Sequence, residues 1–340
     1  MRKDSAMTGK STKNEISLMY IFFCAFLILT NIILSTMPEI NGHSFAYRVI
    51  NTIQILIACG IHGFVFAEGY KAGLCTEIPS FKNLIKDIKR LILPFIGALA
   101  VYWLFLVVLG EAELKPIALY KITSGYHFYI VFIILQYLII SQLMIRFGNR
   151  LNLFAGISIA LIISLLSVTC IPAKIHKVLF TTYLICYITG FFCGKNTDAV
   201  HGFVKNNFVM IVFFYTISLI ITESISIIYA FSSNVPVVII KQIATGIYNP
   251  VAVIFIMALC IKLSEKEFCN RKSFRVLKKI DYHVFLWHLL PIEVSSLVLI
   301  DSEDVAKIGG VLIKTASTAI VLLIIYGIFY INERNNNGTV

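Results

Sequence analysis

The chain has 340 residues, 58% of them hydrophobic and 14% charged, with a mean hydropathy of +0.86 and a net charge of +11. A soluble domain carries about a quarter charged residues, so this composition excludes an ordinary water-soluble fold and points to lipid as the solvent. The apolar runs are continuous and of span length rather than alternating, which predicts an all-α, polytopic membrane bundle and not a β-barrel.

Ten runs are expected to cross, at roughly 16–36, 48–69, 91–110, 127–145, 152–171, 178–194, 207–230, 237–261, 281–300 and 308–331. Basic residues precede the first run, which is span length and is followed by no small-residue cleavage pattern, so it reads as a retained signal anchor. The second run carries Asn51, Gln54, Ala58, His62 and Gly69, which an unbroken helix places within about 80° of one face. That face is either helix–helix glue or the lining of a polar cavity, and His62 is its member suited to acid–base work. In the fourth, Tyr126-His127-Phe128-Tyr129 reads as an interfacial belt, with Gln136 further along.

Glu223 and Lys241 are equally far from the turn joining the seventh and eighth runs, and Glu293 and Lys314 from the turn joining the last two. Each is therefore expected to form a depth-matched pair, either pinning neighbouring helices or lining an outward polar vestibule. The ninth run opens with Asp281, and His288 shares its face about 10 Å further along. Together they could supply a base and an orienting carboxylate, or His288 could be a satisfied buried imidazole.

Of the 29 Lys and Arg, 21 fall in the tails and alternate loops expected to be cytoplasmic; 6 fall in the opposite set, and Lys241 and Lys314 lie within runs. This bias puts both ends in the cytoplasm and accounts for the positive charge without nucleic acid. The eight cysteines show neither a disulfide framework nor a zinc spacing, and no metal is expected. The reading is of a tail over 1–15, one membrane domain over 16–331 and a tail over 332–340.

Five segments in order resemble the acyltransferase family three membrane proteins, which O-acylate bacterial surface glycans. They are FVFAEGY (Phe64 to Tyr70), KDIKRLILPF (Lys86 to Phe95), YHFYIVFIILQYLI (Tyr126 to Ile139), YITGFFCGK (Tyr187 to Lys195) and DYHVFLWHLLP (Asp281 to Pro291). The resemblance implies a multi-pass protein of the bacterial plasma membrane. It would transfer an acyl group, acetyl in the first instance, from cytoplasmic acyl-CoA to a hydroxyl of a surface polysaccharide or lipid-linked sugar, with the polysaccharide synthesis machinery as an implied partner. His288, His62 and Asp281 become the catalytic candidates, and Lys86, Lys89 and Arg90 the candidates for holding CoA phosphates. The chain departs from the family at four places. Tyr20 and Asn31 stand where a first-span Arg and His are usual, and Glu68 and Asp281 stand where serines are usual. An asparagine cannot accept a proton from a hydroxyl at neutral pH. The alternative is therefore a member that no longer catalyses and exports, flips or binds a glycan or lipid.

Overall fold

The computed structural model describes residues 2–35, 45–75, 80–108, 129–231, 235–288, 290–292, 294 and 304–336. Every regular element among them is helical. In order these are α1 (Arg2–Leu34), α2 (Phe45–Ile57), α3 (Gly60–Leu74), α4 (Phe81–Val108), α5 (Tyr129–Phe147), α6 (Leu153–Cys170), the single turn α7 (Ala173–His176), α8 (Phe180–Lys195), α9 (Thr197–Phe231), α10 (Val235–Ser264), α11 (Lys272–Trp287) and α12 (Asp304–Asn336).

Among the described residues, eight stretches are long and apolar enough to cross a bilayer, counting α2 and α3 as one. Large apolar side chains such as Leu93, Val108, Val209 and Leu323 lie at least 67% exposed, an arrangement that water would penalise and hydrocarbon favours. The sixth expected run is α8, only 16 residues long, and ten of its residues are buried by its neighbours. Protein rather than lipid surrounds α8, so its length need not match the hydrocarbon thickness. The ninth run begins earlier than expected, because the helix starts at Lys272 inside the basic segment. The kink at Asn207 (φ −122°, ψ 21°) divides α9 where the seventh run was expected to begin.

The second run is not one helix. It breaks at Ala58 and Cys59 into α2 and α3, and Ala58 N–H turns back to the Ile55 carbonyl at 3.3 Å. The break resets the helical phase, so the single polar face expected from Asn51 to Gly69 does not form as one stripe.

The chain folds as two compact units, residues 1–60 with 256–340, and residues 61–255. In the first, Ile33, Ile50 and Ile57 form a core with Phe26 and Leu56 between α1 and α2, while α11 packs on both α1 and α12. Gly60 lets the start of α3 approach α1, since a Cβ there would lie 3.1 Å from Leu27 Cγ and 3.2 Å from Leu27 N.

In the second unit, α3 and α8 meet through paired small-residue motifs, Gly69-x3-Gly73 and Gly190-x3-Gly194. A Cβ at any of the four would collide with a backbone carbonyl opposite: Tyr187 or Phe191 for the first pair, Phe66 or Tyr70 for the second. Helices in lipid gain little from burying apolar surface, so such close backbone approach supplies dispersion contact instead. Beside this crossing Tyr137 of α5 stacks on Tyr187 of α8, with centroids 4.6 Å apart, and Tyr187 OH donates to Ser141 Oγ at 2.9 Å.

Candidate active site

The second unit encloses a cavity of about 370 Å³. Its wall is assembled from five helices and one loop, and each brings a polar group for a local reason. α3 begins after the break at Ala58 and Cys59, and its first turn carries His62. α10 carries Asn249 immediately before Pro250, which lacks an N–H and so leaves the Gly246 carbonyl without its usual helical donor. Lys241 and Gln242 stand two turns earlier on the same helix.

The connection from α6 to α8 supplies His176 and is held rigidly. Gln136 clamps it from α5, donating to the Val178 carbonyl at 2.9 Å and accepting from Phe180 N–H at 3.0 Å. Tyr137 OH donates to the Phe180 carbonyl at 2.6 Å, and Tyr183 OH to that of Lys177 at 2.9 Å. Ser164 Oγ takes the Ile185 N–H at 3.1 Å and gives its proton to the Thr181 carbonyl at 3.0 Å, two groups that a helix would pair directly. A hydroxyl thus enters the first turns of α8.

His62 lies edge-on to Tyr183, centroids 4.9 Å apart. Its Nε2 is 3.4 Å from the amide nitrogen of Asn249. His62 Nδ1, Asn249 Oδ1 and His176 Nδ1 are all buried and lack a hydrogen-bond partner among the described residues. All three belong to residues that line the cavity, which gathers unsatisfied buried polar groups in one place. Part-burial, followed by the neighbouring Lys177 charge, holds the loop residue His176 below its ordinary value of 6.5.

Lys241 does not pair with Glu223 as expected. Its ammonium lies 4.0 Å from the centroid of the Tyr229 ring, a cation–π contact. Tyr229 and Glu223 are six residues apart on α9, which puts them about 120° apart around the helix, so a lysine on one is turned from the other. Glu293 lies outside the described residues. Its expected partner, Lys314, is 3% exposed and donates to Ser35, to the carbonyl at 3.2 Å and the hydroxyl at 3.3 Å.

The first unit holds the other candidate imidazole. His288 ends α11 and is wholly buried. Its Nδ1 lies 2.6 Å from the Phe285 carbonyl, and its Nε2 lies 2.9 Å from Asn31 Nδ2. With the amide nitrogen turned to Nε2, Asn31 donates to that atom and Nδ1–H donates to the Phe285 carbonyl, which is the Nδ1-protonated tautomer. Both nitrogens are engaged. Asp281 falls within α11, but its side chain lies outside the described residues. Near His288, between α1, α11 and α12, an almost wholly apolar groove of about 520 Å³ includes Ile28 and Val284, one turn before Asn31 and His288 respectively.

Lys86, Lys89 and Arg90 share one exposed face near the start of α4 and line neither cavity. Arg90 reaches Asp87 at 3.9 Å across that surface, a contact of little energetic weight. The same face continues into Leu93, 67% exposed, so the stripe crosses from basic to apolar as a helix does at a bilayer surface. Sequence reasoning singled out His62 and Lys241 but missed Asn249 and His176. An Asn-Pro pair inside an apolar run was the available signal for Asn249.

The helices and their apolar exterior define a polytopic helical membrane protein whose second unit holds a cavity with several polar side chains on its wall. Within that class the chain matches the family described as an acyltransferase domain, acyltransferase 3, over residues 14–330, and it belongs to that family. No curated protein and no solved structure matches it.

Proposed function

We propose that this membrane acyltransferase moves an acyl group, acetyl first among the candidates, from cytoplasmic acyl-CoA to a hydroxyl of a surface polysaccharide or lipid-linked sugar in a bacterial plasma membrane, with His62 as the base. The observation carrying this reading is His62 on the cavity wall beside Asn249, with its Nδ1 lacking a partner among the described residues. Asn249 supplies the orienting partner. Turning its amide by half a rotation puts Oδ1 on Nε2–H and leaves Nδ1 with a free lone pair, the tautomer a base requires, which a turn of the ring would bring to the cavity. The acceptor hydroxyl gives its proton to Nδ1 as its oxygen attacks the thioester carbonyl. The C–S bond then breaks, and CoA leaves as a thiolate that takes up a proton. With the orientation that the loop charges favour, the His176 loop lies on the outer side, where a surface glycan would enter.

His288 is the second candidate for the base, and it would need Asn31 to release Nε2 first. Lys86, Lys89 and Arg90 are the proposed contacts for the CoA phosphates. They stand at the expected cytoplasmic end of α4.

The experiment compares O-acyl esters on surface polysaccharide by proton NMR in a deletion strain carrying wild type, His62→Ala or His288→Ala at matched protein levels. Loss of the ester signal in His62→Ala alone is the expected result. Loss in His288→Ala alone moves the base to His288, whereas loss of polymer with ester content unaffected supports the exporting or binding alternative.

A further inference from the structure

Resting on that reading, we infer that the cavity takes an anionic acceptor, one whose carboxylate or phosphate meets Lys241. Among the described residues, fifteen line the cavity and none of them is an aspartate or glutamate, while Lys241, His62 and His176 are included. The described contact of the Lys241 ammonium is the face of Tyr229. A quadrupole offsets only part of what a cation loses on leaving water, and a membrane-depth cation is ordinarily held by a counter-charge.

The hydrogen-bonding capacity of the wall points the same way. The hydroxyl protons of Ser164 and Thr182 are already given to the carbonyls of Thr181 and His176. What remains for a guest is the ammonium of Lys241, the amides of Gln242 and Asn249, the hydroxyls of Thr245 and Tyr229, and the two imidazoles, a set whose one full charge is the ammonium. A neutral sugar could use the amides but would leave the ammonium without a counter-charge. An oxyanion accepts several charge-assisted hydrogen bonds at once and would be held by Lys241 while a neighbouring hydroxyl faced His62.

The test uses the full chain purified into nanodiscs and three probes: a glucuronic acid disaccharide, the same disaccharide with its carboxylate reduced to the alcohol, and glucose 1-phosphate. At least one anion should bind roughly 10-fold or more tightly than the neutral disaccharide, a factor worth one decade in Kd. Lys241→Met should erase that preference and Lys241→Arg should keep it. Preference for the uronate assigns a carboxylate acceptor, and preference for the phosphate assigns a phosphate-bearing one. The inference is overturned if the neutral disaccharide matches both anions, if no anion binds, or if Lys241→Met preserves the preference. It also fails separately from the base assignment. Esters lost in His62→Ala without any anion preference defeat only this inference, and anion preference with esters intact in His62→Ala defeats only the base.

Discussion

Asn31 and His288, 257 residues apart in the chain, are joined by a 2.9 Å contact between the amide nitrogen and Nε2 inside the first unit. The asparagine thus does not stand idle where the family usually has a histidine. It occupies the lone pair that His288 would need as a base. Asn31→Ala removes the donor and leaves a buried ring nitrogen to be satisfied otherwise. That should cost about 1–3 kcal/mol, read as a lowered Tm of the purified protein in detergent. An unchanged Tm would show that the contact carries no stability.

Gly190→Ala places a methyl group against the Phe66 backbone carbonyl, with no flexible side chain available to yield. Overpacking ordinarily costs about 1–3 kcal/mol, and a backbone-to-backbone clash belongs at the upper end. Gly97→Ala is the control, since a Cβ there meets nothing within 4 Å. It should be neutral or slightly stabilising, because alanine is the better helix former. Thermal unfolding of the two variants side by side decides the matter, and equal Tm values would contradict the packing argument.

Gln136 makes two hydrogen bonds with one side chain, and both hold the connection carrying His176. Gln136→Leu leaves a carbonyl and an N–H without partners and should destabilise by about 1–3 kcal/mol per group. Gln136→Glu keeps the acceptor for Phe180 N–H and loses only the donor, so its Tm should fall between leucine variant and wild type. A glutamate variant as unstable as the leucine one would refute the two-bond account.

His176 has its pKa lowered from 6.5 by part-burial and then by Lys177. As pH falls, the unfolded chain therefore takes up this proton before the folded chain does. Stability should decline below the ordinary value and level off once pH is under the lowered folded value. Over that window His176→Gln should lose less Tm than wild type. Parallel Tm curves for the two proteins would show that the loop imidazole titrates alike in both states.

The lipid environment and the helical class were legible in the residues themselves, because transfer from water to hydrocarbon is a property of each local run. The kink at Asn207 falls where the seventh run was expected to begin, inside a helix that starts at Thr197. The close approach of Gly190-x3-Gly194 to Gly69-x3-Gly73 was not read from either run. The tertiary structure alone decided which polar groups meet. Lys241 turned to Tyr229 rather than Glu223, His288 met Asn31, and His62 met Asn249 across 187 residues of chain. It also decided that the second span breaks at Ala58 and Cys59, which frees His62 from the stripe that an ideal helix would impose. Hydropathy places a residue at a depth, but its partner depends on the rotation of each helix about its axis. Backbone contacts between distant helices set that rotation, and no single run of sequence contains them.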